Sequence, residues 1–368
     1  MKVKTRESNI EALRIISMLF IILFHYVANC NFQYTNLSLN NLMIKTILFF
    51  GELGVNLFIL ITGYYLCESK MSLKKLVLII GEVFFYNLLN YFIGYKIRYI
   101  NSLNDLNILF PVITGYYWFI TGYILVYILS PYFNKLISIF SKREYQKFLL
   151  ITLTIWCIIP TVLGFFYNSS ERLLYFNGFI WLSLMYFIGA YIRKYNIKSL
   201  NTKKKSIITC GITFLIMILS ICIIDSFKET FLRIGTTETA YFRSPNNLLM
   251  IILSISCFMF FKNLSIKRNI IINKIASTTL GIYLFHEGVL KKYIWGTLFK
   301  SNIYIYTNSW FLYALSATVI IFFIGLVIDL IRQFLEKILF KKIIELRIWH
   351  DMYNETKRIG LKFIDRII

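Results

Sequence analysis

The chain has 368 residues, with 40 Lys and Arg against 18 Asp and Glu for a net charge of +22, and 58% of its residues are hydrophobic. Its mean hydropathy of +0.65 excludes a disordered chain, and surface-to-volume scaling excludes a soluble globule, which cannot hide so much apolar surface. Nucleic-acid binding would account for the basic excess but not for the hydropathy, which leaves a polytopic membrane protein whose positive charge sits in cytoplasmic loops beside anionic lipid.

A bilayer core requires ~20 apolar residues per helix. Ten runs meet or approach this, at 10–30, 43–66, 76–95, 116–137, 148–166, 177–192, 207–225, 247–261, 275–290 and 309–331, the sixth and eighth being short. The first follows Lys2, Lys4 and Arg6 and has no small-residue cleavage site after it, so an uncleaved span is expected. The stub, the even-to-odd connections and the tail after 331 carry 28 Lys and Arg; the other connections carry 9. The positive-inside rule then puts both termini in the cytoplasm. The predicted organisation is an all-α membrane domain over 1–331 and a basic tail over 332–368. In that tail Phe334, Leu335, Ile338, Leu339, Ile343 and Ile344 recur at helical spacing among nine Lys/Arg and five Asp/Glu. This predicts an amphipathic helix on the inner leaflet, with a packed extension of the last span as the alternative. The polar connection 226–246 is a candidate substrate mouth. The six cysteines lack C-x-x-C spacing, so neither a disulfide framework nor a metal site is expected.

Ionisable groups inside spans point to function. Here they are Glu11, Arg14 and His25 in the first run, Glu52 in the second, Glu82 in the third, His286 and Glu287 in the ninth and Asp329 in the tenth. Arg14 and His25 are eleven residues apart. At ~100° per residue both project from one helix face, ~16 Å apart along the axis. A cation near the inner surface and a titratable base deep in the membrane suit a long donor with an anionic end and a reactive end, the shape of a coenzyme A thioester. Against this stands a structural reading, in which Arg14 pairs with Glu11 or snorkels and His25 bonds a neighbouring helix.

The opening RESNIEALRIISMLFIILFHY resembles the start of the acyltransferase family 3 membrane proteins, whose hallmark Arg-x10-His falls on Arg14 and His25. GELGVNLFILITGYYL (51–66) resembles the family's G-x-x-G-V segment, with Thr62 where the family usually has Ser and Ile59 in place of its second Phe. Lys74 and Lys75 stand where an Arg-rich loop is common, which keeps charge and loses bidentate phosphate geometry. YYWFITGYILVYILSP (116–131), MYFIGAYI (185–192) and STTLGIYLFH (277–286) resemble later family segments.

The resemblance implies transfer of an acyl group, most often acetyl, from cytoplasmic acyl-CoA to a hydroxyl of an exported, cell-surface or lipid-linked glycan. It implies no permanently bound cofactor; acetyl-CoA is the donor substrate. No esterase-like domain follows the last span, so a stand-alone membrane member is expected. The expected location is a bacterial cytoplasmic membrane, with membrane lipids as neighbours. On this reading Arg14, Lys74 and Lys75 hold the donor phosphates, and His25 serves as general base or transient acyl carrier. Glu52 orients His25 or lies on the acceptor path, with a helix-packing role as its alternative. Asn56, Tyr64, Trp118, Tyr283 and His286 are candidate acceptor contacts. A transporter or exporter, and a non-catalytic sensor, are the rival readings.

Overall fold

The computed structural model describes residues 6–30, 38–100, 106–166, 178–227 and 244–344. Among these there is helix and no strand. The long helices are α1 (Ser8–Ala28), α2 (Leu39–Leu66), α3 (Leu73–Lys96) and α4 (Trp118–Ile139). The fifth, α5, runs Lys142–Leu153, passes through a π-helical turn at Thr154–Ile158 and resumes as Ile159–Phe166. Then come α6 (Gly178–Tyr195), α7 (Lys203–Ser226), α8 (Leu248–Lys262), α9 (Ile270–Ala276), α10 (Thr279–Glu287) and α11 (Trp310–Ile344).

All ten predicted runs fall on helices, but they are not ten full-length spans. Seven helices among the described residues are long and apolar enough to cross a membrane: α1 to α5, α7 and α11. The other three are α6, which ends in Arg193 and Lys194, the 15-residue α8, and the ninth run, which is broken into α9 and the 9-residue α10. The break follows from three successive hydroxyls. Ser277, Thr278 and Thr279 donate to the carbonyls of Lys274, Ile275 and Ala276 and satisfy the last turn of α9.

Polar residues just before the apolar runs set where the helices start. Ser38, Ser72 and Thr202 accept from the backbone N–H three residues on, and Ser141 forms a full capping box with Glu144. Interior prolines are matched by side-chain donors. Pro131 cannot donate to the carbonyl of Tyr127, and Ser130 does so at 2.7 Å. Pro160 leaves the carbonyl of Trp156 open within the π-helical turn, and Asn246 donates to it at 2.8 Å.

Glycines set the closest helix approaches. A Cβ on Gly54 would lie 2.8 Å from the Ser17 carbonyl, and one on Gly51 would enter the Phe24 ring, so the two glycines of the 51–54 segment let α2 lie against α1. Gly63 and Gly189 do the same where α2 crosses α6, each facing the other helix's backbone. Since Gly51 meets Phe24 and Gly54 meets Ser17, the two helices run antiparallel, which brings Glu52 level with the His25 end of α1.

The predicted tail divides at 344. Residues 332–344 continue α11 without interruption; residues 345–368, including His350, lie outside the described residues, as do 228–243 of the predicted substrate mouth.

Candidate active site

Arg14, Met18, Ile21 and His25 fall at i, i+4, i+7 and i+11 on α1, and all four line one cavity of about 350 Å³. The same spacing recurs on α2, where Gly51, Glu52, Val55, Phe58 and Thr62 form the facing wall. From α3 come Lys75, Ile79 and Glu82; from α4, Trp118, Phe119 and Tyr123; from the break between α9 and α10, Ser277; and from α10, Leu280 and Tyr283. The cavity is apolar along most of its length, Glu82 apart, and charged toward its ends. Arg6, Arg14 and Lys75 stand at the end where α1 begins, and His25 and Glu52 at the other.

At the basic end, Arg14 Nε lies 3.5 Å from the buried Glu11 carboxylate while the side chain keeps a face on the cavity. Arg6 donates from Nη1 to the Asn273 carbonyl at 3.1 Å. Lys75 sits over the Tyr127 ring, 5.4 Å from its centroid. Lys74 does not line the cavity.

At the deep end, His25 Nδ1 is 3.0 Å from His286 Nε2, and His286 Nδ1 is 2.6 Å from the Ile282 carbonyl oxygen. His25 Nε2 faces Glu287 at 3.3 Å, and Lys291 holds the other oxygen of Glu287 at 3.0 Å. His286 is fully buried, with the Trp295 ring beside it. The π-helical turn Tyr293–Leu298 presents that ring. The end of α10 is itself fixed by Asn90, which donates to the Leu284 carbonyl at 2.9 Å.

The predicted site residues therefore divide. Arg14, His25, Glu52, Lys75, Trp118 and Tyr283 share the cavity, and His286 stands behind His25. Asn56 and Tyr64 are elsewhere. Asn56 is fully buried, donates to the Pro245 carbonyl at 2.9 Å and to Ser254 at 3.2 Å, and accepts from Trp181 Nε1 at 2.9 Å. It ties three helices together and presents nothing to the cavity. Tyr64 lies under the Arg193 guanidinium, 4.8 Å from its ring centroid, in a cluster where Arg193 also binds Glu7 and Glu68. Sequence reasoning passed over Arg6, Tyr123 and Ser277 as cavity residues, and Glu287 as a carboxylate 3.3 Å from His25. The last had one signal, an ionisable residue following His286 in an apolar run.

Helices long and apolar enough to span a membrane, around a cavity with a basic rim and a buried imidazole, define a multi-helix membrane protein with an internal cavity. Residues 7–330 match the family model described as an acyltransferase domain, and the chain belongs to that family, acyltransferase family 3. It is a multi-helix membrane acyltransferase. No curated protein and no solved structure matches the chain.

Proposed function

We propose that the protein is an O-acyltransferase that moves an acetyl group from acetyl-CoA to a hydroxyl of an exported, cell-surface or lipid-linked glycan, in a bacterial cytoplasmic membrane with both termini inside. The observation that carries this reading is the single cavity shared by Arg14 and His25, cationic at one end and holding an imidazole at the other. Arg14, Arg6 and Lys75 bind the donor phosphates by charge-assisted hydrogen bonds, and Lys74 adds to the field at that end. The apolar walls suit the thin pantetheine arm, which delivers the thioester to His25. Tyr283 and Trp118 offer aromatic faces to a sugar.

In the transfer step the acceptor oxygen bonds the thioester carbonyl carbon and the carbon–sulfur bond breaks. The hydroxyl proton passes to His25 Nε2 and from there to the departing thiolate, giving an ester and free coenzyme A. Imidazole suits the double hand-over because its unperturbed pKa of ~6.5 lets it take and return a proton near neutrality.

Two substitutions test the assignment in membranes expressing the protein, with labelled acetyl-CoA and the glycan fraction counted. His25→Ala is expected to lower kcat by the ~10²–10⁴-fold typical of acid–base catalysis; near-normal transfer would remove His25 from the mechanism. Arg14→Ala is expected to raise the donor KM about 10–100-fold, the equivalent of one charge-assisted hydrogen bond of ~1.5–3 kcal/mol. An unchanged donor dependence would contradict its role.

A further inference from the structure

The hydrogen bonds around His25 fix which of its nitrogens is basic. The Ile282 carbonyl only accepts, so His286 Nδ1, 2.6 Å away, carries the proton of that bond. A neutral His286 then offers Nε2 as an acceptor, and His25 Nδ1, 3.0 Å away, must donate to it. In its neutral form His25 then carries its lone pair on Nε2, which faces the Glu287 carboxylate across 3.3 Å. That gap exceeds the ~2.7–2.9 Å of a charge-assisted hydrogen bond. The carboxylate therefore acts on Nε2 chiefly through its charge. Lys291, at 3.0 Å from its other oxygen, pairs with Glu287 and lies on the more exposed side, away from the cavity.

We propose that His286 and Glu287 are positioning residues for His25: His286 selects Nε2 as the base, and Glu287 supplies the negative charge that balances the imidazolium formed when Nε2 takes the acceptor's proton. This deepens the acyl-transfer reading and rests on it. It moves the orienting role from Glu52, on the α2 wall, to two consecutive residues at the end of α10. The charged or titratable groups around His25 are His286, Glu287 and Tyr283 on α10, Lys291 after it, and Glu52 on α2.

The test uses diethyl pyrocarbonate, which acylates neutral imidazole, on the purified full chain, with the His25 peptide followed by mass spectrometry. Glu287→Gln is expected to speed modification of His25 about fivefold at pH 5.5 and leave it unchanged at pH 8, because losing a neighbouring carboxylate disfavours an imidazolium of ordinary pKa (~6.5) by about one pK unit. A merely structural role would alter the rate equally at both pH values, or at neither, and either pattern overturns the proposal. Lys291→Met, at a more exposed position, shifts the balance the opposite way and is expected to slow modification about threefold at pH 5.5; no change there also counts against Glu287. His286→Ala is expected to abolish the selective reactivity of Nε2, seen as mixed substitution on both His25 nitrogens. The measurement needs neither donor nor acceptor. A negative result with acetyl transfer intact overturns this inference alone, whereas wild-type protein that releases no thiol from acetyl-CoA overturns the acyl-transfer reading.

Discussion

Two buried polar clusters pack against α10, one beside Gly281 and one at His286 and Glu287, and they are built on different rules. Around Arg332 the groups pair chiefly with one another. The guanidinium binds Asp329 at 2.6 Å, Glu82 at 3.2 Å and also Glu336. Asp329 further accepts from Tyr86 at 3.0 Å and from Gln333 at 2.7 Å, and Gln333 accepts from Lys274 at 2.6 Å. Around His25 the partners are as close, yet His25 keeps a face on the cavity. A polar cluster whose groups engage chiefly one another holds helices together; one that leaves a basic group facing a cavity can act on a substrate. Glu82 belongs to both worlds, since it binds Arg332 and also lines the cavity.

The sharpest way to break this comparison is Arg332→Met. It leaves three carboxylates without their shared guanidinium, and removing one partner of a buried ion cluster costs ~3–5 kcal/mol. Thermal unfolding of the detergent-solubilised protein should show a large loss, whereas His25→Ala should melt close to wild type. Equal melting of the two variants would erase the distinction. Asn56→Ala is the next smaller effect. It strands the Trp181 Nε1–H and two further partners and is expected to lower stability by ~1–3 kcal/mol, with donor and acceptor KM unchanged. An Asn56→Ala protein that melts normally but uses acceptor poorly would return Asn56 to the sugar contacts proposed from sequence.

What the sequence disclosed of the site follows the reach of helical periodicity. Arg14 and His25 were legible as a pair because a 3.6-residue repeat puts 14, 18, 21 and 25 on one face, and all four line the cavity. The approach of Glu287 to His25 was not legible, because it bridges residues 262 apart and depends on a helix break concealed within a continuous apolar run. Hydroxyl residues made that break, and their preference for backbone carbonyls does not register in hydropathy. The same blindness explains the span count. Composition marks 247–261 and 275–290 as membrane-like, but α8 is 15 residues, about 22 Å at 1.5 Å per residue, and α10 is only 9 residues. The placement of Asn56 was illegible for a different reason. A polar residue in a membrane bundle can serve a substrate or bond a neighbouring helix, and the sequence does not reveal that Trp181, Pro245 and Ser254 surround it.

The smallest predicted effect concerns two adjacent lysines that share one charge and differ in placement. Lys75 faces the cavity and Lys74 does not. If the basic end binds phosphates through local contacts, Lys75→Gln should raise the donor KM about threefold while Lys74→Gln stays within about 1.5-fold, because exposed charges off the contact act weakly through a Debye length of ~8 Å at physiological salt. Repeating both titrations in ~0.5 M salt sharpens the comparison. A long-range contribution from Lys74 is screened away, whereas a direct contact from Lys75 persists in part. Equal, salt-sensitive effects from the two would mean that the rim attracts the donor as a diffuse positive field, and Arg14 would then be left as the residue that fixes its phosphates in place.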